Sequence, residues 1–508
     1  MLSGTRGDGG HRATGAAHGD LEGQFAIDIG DDGAHVPLPL PAMPLNLSRR
    51  HSFAWLAAVG APAWAATPPT PAAPPSVAAS RAPYFSLNLP PRPLRQRKLA
   101  NGLQVVSLPT RGGASVSVQV WYRVGGKDDP AGRSGFAHLF EHMMFKKTRH
   151  MPSEMFDRLT EDVGGQNNAF TAEDMTGYQN EVPSNHLERL LWAEAERMAN
   201  LQVDQASFDS ERKVVIEELR ERVLADPYGR LFNALSQQAF ERHSYQRPVI
   251  GSEADLNAAT LDDVKRFHAT YYRPDNALLI VVGDFDAAQL DGWVDRYFGR
   301  LVTPSAAIPR VTEREPARAQ DARVTIKAPN VPLPAVALVW KGPPASHPDA
   351  PALEMAQALL SAGDSSRLNE ALVYTAQAAQ AAGFAAELFA DAGLLAAYAI
   401  AASGQDLRKL ETALLAQIAN LARGRVGFYE LDKVRTQLLT AAVLARQTPQ
   451  GQADAIGRAV FLYGDAAEAD TRINRLQAVR ISDVQRVLEQ YVLRGKRVTI
   501  DYVQGAAA

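Results

Sequence analysis

Apolar and polar residues alternate with period two in LQVVSLPT (103–110) and ASVSVQVWYRV (114–124), the pattern of half-buried strands. The period then lengthens. SGFAHLFEHMMF (134–145) reads as a helix with Ser134 as its expected N-cap. Further helices are predicted over 186–201 (HLERLLWAEAERMANL) and 206–226 (ASFDSERKVVIEELRERVLAD). ALLIVVGDF (277–285) reads as a buried strand closed by a Gly-Asp turn. The order then starts again. RVTIKAPN (323–330) and PAVALVWKG (334–342) repeat the first two strands, the second with the same Trp and a basic residue close behind. DAPALEMAQALLS (349–361) stands where SGFAHLFEHMMF stood, and RVTIDYV (497–503) closes the chain as ALLIVVGDF closed the first copy. The expected fold class is α+β: two homologous domains from an internal duplication, each a mainly antiparallel sheet packed with helices. The domains are expected at 93–300 and 321–508, joined by the Pro- and charge-rich stretch 301–320.

The first ninety or so residues break this rhythm. Residues 1–42 are rich in Gly, His, Asp and Pro and read as a non-native or disordered extension. Residues 43–66 have the anatomy of a secretory signal: Arg49 and Arg50, an apolar run from Phe53 to Val59, and a small-x-small pattern at Ala63-Trp64-Ala65. Met43 is then the expected natural start, and the mature protein is expected in the periplasm or secreted. The paired arginines after Ser48 hint at twin-arginine export. Residues 67–92 read as a Pro/Ala-rich linker. No later stretch is apolar for long enough to make a membrane-spanning helix.

Composition narrows the chemistry. The chain has 508 residues, 46% apolar and 21% charged, with a formal net charge of -3. That balance is globular and gives no sign of nucleic-acid binding. There is no cysteine, so disulfides, thiolate metal sites and a cysteine nucleophile are excluded. Any metal must be held by His, Asp or Glu.

His138 and His142 are four apart on the predicted helix, so both rings share a face and can reach one zinc ion. Glu141 lies one residue off that pair, placed to take a proton from water rather than to ligate. The order H-x-x-E-H is the inverted form of the commoner H-E-x-x-H. The alternative is two histidines on an ordinary helix. The flanking Phe136, Leu139, Phe140, Met143, Met144 and Phe145 argue for burial, where such a trio needs a partner. A third ligand is sought in SERKVVIEELRER. Glu211 and Glu218 share a face there, and Glu217 lies about 100° from Glu218. Helical phase leaves Glu217 and Glu218 both open, and a solvated charged helix is the competing reading.

Taken together, GFAHLFEHMMFKKT, VGGQNNAFTAEDMTGYQNEVP (163–183), ERKVVIEELR and GDSSRLNEAL occur in the order found in one family. Across roughly residues 93–505 the sequence resembles the pitrilysin/insulinase family of zinc metallopeptidases, including its short bacterial members and mitochondrial processing peptidase. The resemblance implies one Zn2+ per chain bound by His138, His142 and Glu218, with Glu141 as general base. It places Glu211 behind the ligands as a supporting acid and leaves Glu217 on the surface. It implies that Asn168, Ala169, Phe170 and Thr171 form an edge strand to which a peptide substrate adds as a further strand. The implied activity is a zinc-dependent endopeptidase or oligopeptidase acting on short or unfolded polypeptides. A non-catalytic scaffold or peptide-binding subunit is the alternative.

The family's working sites also use a second-domain arginine and a tyrosine seven residues later. Counted from the SSRL landmark, these positions hold Val373 and Gln380 here. Arg367 and Tyr374 are also seven apart, but Arg367 belongs to the landmark itself. The resemblance therefore implies a heterodimer, in which a homologous partner subunit supplies the Arg/Tyr pair.

Overall fold

The computed structural model describes residue 87 and residues 89–506. The extension 1–42, the signal-like segment 43–66 and most of the 67–92 linker lie outside the described residues.

The first sheet contains β1 (Arg95–Lys98), β2 (Gln104–Pro109), β3 (Ser115–Tyr122), β4 (Gln166–Thr171), β5 (Thr176–Pro183) and β6 (Ala277–Gly283), in the order β1-β2-β6-β3-β5-β4. The second contains β7 (Ala322–Ala328), β8 (Ala335–Gly342), β9 (Ala379–Leu388), β10 (Gly393–Ala401) and β11 (Arg497–Gln504), in the order β7-β11-β8-β10-β9. Without β1 the two orders are the same, strand for strand. In both, one pair is parallel (β2 with β6, β7 with β11) and the other pairs are antiparallel. The expected duplicated α+β fold is the observed one.

Period-two alternation decides which side chain meets which layer. In β3, Val116, Val118, Val120 and Tyr122 join one core, and Trp121 points into another. The first core is closed by helices Phe136–Met143, Leu187–Asn200, Gln205–Leu219, Leu261–Tyr271 and Ala287–Tyr297. β6 is buried at every residue, which accounts for its unbroken apolar run ALLIVVG.

The layers on the far faces come from the opposite half of the sequence. Helix Pro449–Arg458 and the turn after it bury Ala453, Ile456, Val460 and Phe461 against Val106, Leu108, Trp121, Phe170, Ile280 and Val282 of the first sheet. A Cβ on Gly457 would lie 2.7 Å from the Trp121 ring, so only glycine lets the helix approach this closely. In return, helix Gly229–Ala239 buries Leu231, Leu235 and Ala239 against Ala337, Val339, Leu394 and Ile500 of the second sheet. An ionic knot also joins the halves. Lys127 Nζ lies 2.7 Å from both Asp174 and Asp391, and the Tyr245 hydroxyl donates to Asp174 at 2.6 Å.

Candidate metal centre

The histidine helix begins at Gly135, whose φ of 90° a β-carbon would strain. The expected Ser134 cap is not what closes this end. Asp129 in the preceding loop accepts hydrogen bonds from the Gly135 and Ala137 amides at 2.7 and 2.8 Å. Its carboxylate meets the positive end of the helix. The left-handed turn leaves Ser134 to donate instead to Asp255, through both its amide and its hydroxyl.

Helix Gln205–Leu219 crosses this helix and brings Glu218 to it. Glu218 Oε2 lies 3.7 Å from His138 Nε2 and 3.5 Å from His142 Nε2. These separations exceed hydrogen bonds. They are close to the edge, roughly 3.3–3.4 Å, of a tetrahedron whose ligands sit 2.0–2.1 Å from a zinc ion. His138 is 4% exposed, and its Nδ1 has no hydrogen-bond partner among the described residues. The donor set of two imidazoles and one carboxylate therefore fits zinc. Among the described residues, these three side chains form the group able to hold a metal ion.

The surrounding charges tune the trio. Burial, with His142 beside it, pushes His138 down to about 3, so it is neutral, the form that ligates. Burial also disfavours charge on His142, but Glu211 and Glu218 outweigh it and raise this group to about 9. A metal must displace that proton. Burial would raise Glu218, yet His142, His138 and Arg222 hold it down to about 2. Glu211 lies behind the cluster, 3.6 Å from His142 Nδ1 and 2.8 Å from Lys146 Nζ. Glu217 turns outward to Arg220, with its side chain 56% exposed. Lys146 and Arg222 were missed in the sequence. Each is four residues beyond a candidate ligand, at His142 and Glu218, and that spacing was their only signal.

Glu141 is 3% exposed and is raised to about 7, chiefly by burial. Thr171 Oγ1 donates to its Oε2 at 2.6 Å. Thr171 ends β4, which lies at the edge of the first sheet. The four candidate docking residues are thus on an edge strand, but they do not share a face. Ala169 joins the core beneath the histidine helix, while Phe170 packs edge-on to Trp121 on the far side, with ring centres 4.9 Å apart. The Asn168 side chain accepts the Ala169 amide at 2.9 Å.

In the second half, Arg367 is held by Glu430 through two hydrogen bonds of 2.6 and 2.9 Å. Tyr374 is 53% exposed. Val373 packs against the second core and Gln380 is exposed on β9.

Residues 104–253 match the profile of insulinase (peptidase family M16), and residues 258–438 that of the peptidase M16 inactive domain. The chain is 30% identical over 406 residues to zinc protease PqqE of Helicobacter pylori, covering 79% of this chain and 91% of that one. The chain belongs to the insulinase family of peptidases, M16. A probable mitochondrial-processing peptidase subunit beta of Arabidopsis thaliana, another M16 relative, is 25% identical over 78% of this chain and 76% of its own length. The crystal structure of a protease from Helicobacter pylori superposes with a TM-score of 0.78 at 29% identity, over 81% of this chain and all of that one. The periplasmic protease PqqL of Escherichia coli shares the fold, with a TM-score of 0.66 at 20% identity, over 82% of this chain and 48% of its own. M16 membership and relatives named zinc proteases make this a chain of metallopeptidase type. No helix among the described residues is long and apolar enough to cross a membrane.

Proposed function

We propose that the protein is a zinc-dependent endopeptidase or oligopeptidase that hydrolyses short or unfolded polypeptides. The observation that carries this is the convergence of His138, His142 and Glu218, with Glu141 buried beside them and not among the ligands. These three residues would hold one zinc ion. When bound, the ion supplies Lewis acidity toward water and toward a carbonyl oxygen. Glu141, held near neutrality by burial and oriented by Thr171, takes a proton from the attacking water and returns it to the leaving nitrogen. The β4 strand receives the peptide as an added strand, through backbone hydrogen bonds at Asn168, Ala169, Phe170 and Thr171. An extended substrate suits this edge; a folded one does not.

The zinc-bearing chain works as one subunit of a heterodimer. Val373 and Gln380 occupy the positions where the family places its Arg/Tyr pair, and Arg367 is committed to Glu430. A homologous partner subunit supplies the missing donors. The signal-like segment beginning near Met43 supports export to the periplasm. Metal analysis of protein purified without added zinc, followed by incubation with a mixed peptide pool with and without chelator, tests the activity. Chelator-sensitive cleavage is expected; tight peptide binding with no cleavage points to a scaffold. Copurification of an equimolar homologue is expected, and full activity of the single chain overturns the heterodimer.

A further inference from the structure

Residues 125–129 lie between two parts of the candidate site. On one side the Gly126 and Lys127 amides donate to the Ala172 and Glu173 carbonyls, each at 3.0 Å. Those carbonyls belong to the turn that joins β4 to β5 and begins one residue after Thr171. On the other side the Asp129 carboxylate accepts the Gly135 and Ala137 amides at the start of the histidine helix. The fit is close: a Cβ on Gly125 would lie 2.3 Å from the Ala172 carbonyl oxygen. The segment is a bracket. It runs from the turn beside Thr171 to the helix that carries Glu141, and those two side chains share a 2.6 Å hydrogen bond. Hydrogen bonds weaken steeply with misalignment, so this one is only as well made as the bracket is rigid.

The bracket is held from elsewhere in the chain. The Arg247 guanidinium donates to the Lys127 and Asp129 carbonyls at 3.1 and 2.7 Å. The Lys127 side chain, 15% exposed, lies between Asp174 of the β4–β5 turn and Asp391 at the tip of the β9–β10 hairpin, in the second half. That tip is fixed in turn. The Ala390 amide donates to Asp174 at 2.9 Å, and the Asp391 amide to the Tyr245 hydroxyl at 3.1 Å. Burial disfavours the lysine's charge, but Asp174 and Asp391 outweigh it and raise this group above its usual value. We infer that Lys127 is a positioning residue: by joining Asp174 to Asp391 it lets the second half set the orientation of the base Glu141, through Thr171. This rests on the peptidase reading proposed above. It gives the half without the histidines a share in the catalysis of its own chain.

The test uses the purified protein, with any partner that copurifies. Lys127→Met is expected to lower kcat for peptide cleavage by about three- to tenfold, up to the worth of the hydrogen bond it supports, with KM within about twofold and zinc content normal. Lys127→Arg restores most of the rate. Tyr245→Phe, which removes one hydroxyl from the cluster, shows a smaller loss and takes the place of Lys127→Met if that variant does not fold. In a Thr171→Val background neither substitution lowers kcat further, because the bond they support is already gone. Arg446→Met is the control, since it removes a similarly buried ion pair, with Asp470, inside the second half. Amide hydrogen exchange should quicken over 125–129, 135–138 and 172–176 in Lys127→Met and not in Arg446→Met. A kcat loss that adds fully to that of Thr171→Val, or one shared by Arg446→Met, overturns the inference. So does an unchanged kcat in both Lys127→Met and Tyr245→Phe. A wild type that holds zinc and cleaves no peptide overturns the peptidase reading, and this inference with it.

Discussion

His138 lies seventeen residues past Trp121, and Gln357 lies seventeen past Trp340. By the same spacing, Glu141 and His142 correspond to Leu360 and Ser361. The two helices hold equivalent places over equivalent sheets, and their polar groups are satisfied in opposite ways. Gln357 accepts the Ala386 amide at 2.8 Å, and Ser361 donates to the Phe384 carbonyl at 2.8 Å, so both staple the helix to β9. In the first half the corresponding histidines stop short of hydrogen-bonding distance to Glu218. Polar side chains closed onto backbone add rigidity. Polar side chains left converging on a gap are costly when buried, and that cost is what a metal ion relieves.

The largest break in this comparison is expected at Glu141. Glu141→Gln should lower peptide cleavage by about 10²–10⁴-fold, the range of general-base catalysis, with zinc content unchanged by metal analysis. Loss of zinc in that variant makes Glu141 a ligand and overturns the assignment. His142→Ala should lose metal and activity together.

Next in size are the acids on helix Gln205–Leu219. Competition against a graded series of chelators should show a severe loss of zinc affinity for Glu218→Gln and near-normal affinity for Glu217→Gln. Glu211→Gln should lose about 10–100-fold, as for residues that orient a ligand. Equal losses at 217 and 218 count against the geometry described.

A paired substitution sharpens the contrast between the halves. Thr171→Val removes the hydroxyl that orients Glu141 and should reduce cleavage by about tenfold at normal zinc content. Ser361→Ala, at the second-half position that corresponds to His142, should leave cleavage and zinc untouched and lower stability to urea by about 0.5–1.5 kcal/mol. An activity loss at Ser361 equal to that at Thr171 contradicts the division of labour.

The smallest effect concerns the knot between the halves. The His243 ring and Lys127 hold the Asp391 carboxyl below its usual range, against an opposing burial effect. A carboxyl depressed in the folded state stabilises it above the unfolded value near 4 and loses that contribution as pH falls through the folded value. Thermal melts should therefore show wild type losing more stability than Asp391→Asn on acidification below about pH 4. Parallel curves for the two proteins contradict this.

Much of this was legible along the chain. Period two and the longer helical period separated strands from helices, and the recurrence of Trp121 in Trp340 exposed the duplication. H-x-x-E-H singled out two candidate ligands and a candidate base. The choice between Glu217 and Glu218 needed the family resemblance, because neighbouring residues on a helix differ by about 100° and the segment carries charge on every side. Other features were hidden for physical reasons. The cap from Asp129 depends on the path of a loop, which composition does not encode. The exchange of helices was invisible because an amphipathic pattern states that a face is buried, not which sheet buries it.

That exchange sets a schedule for synthesis. The far face of the first sheet, with Trp121, Phe170, Ile280 and Val282, is complete in sequence once β6 has been made, yet its cover begins only at Pro449. At roughly 5–20 residues per second, the ribosome needs on the order of ten to thirty seconds to bridge that interval. Throughout it the nascent chain carries a finished hydrophobic surface without its lid, a window in which chaperones compete with aggregation.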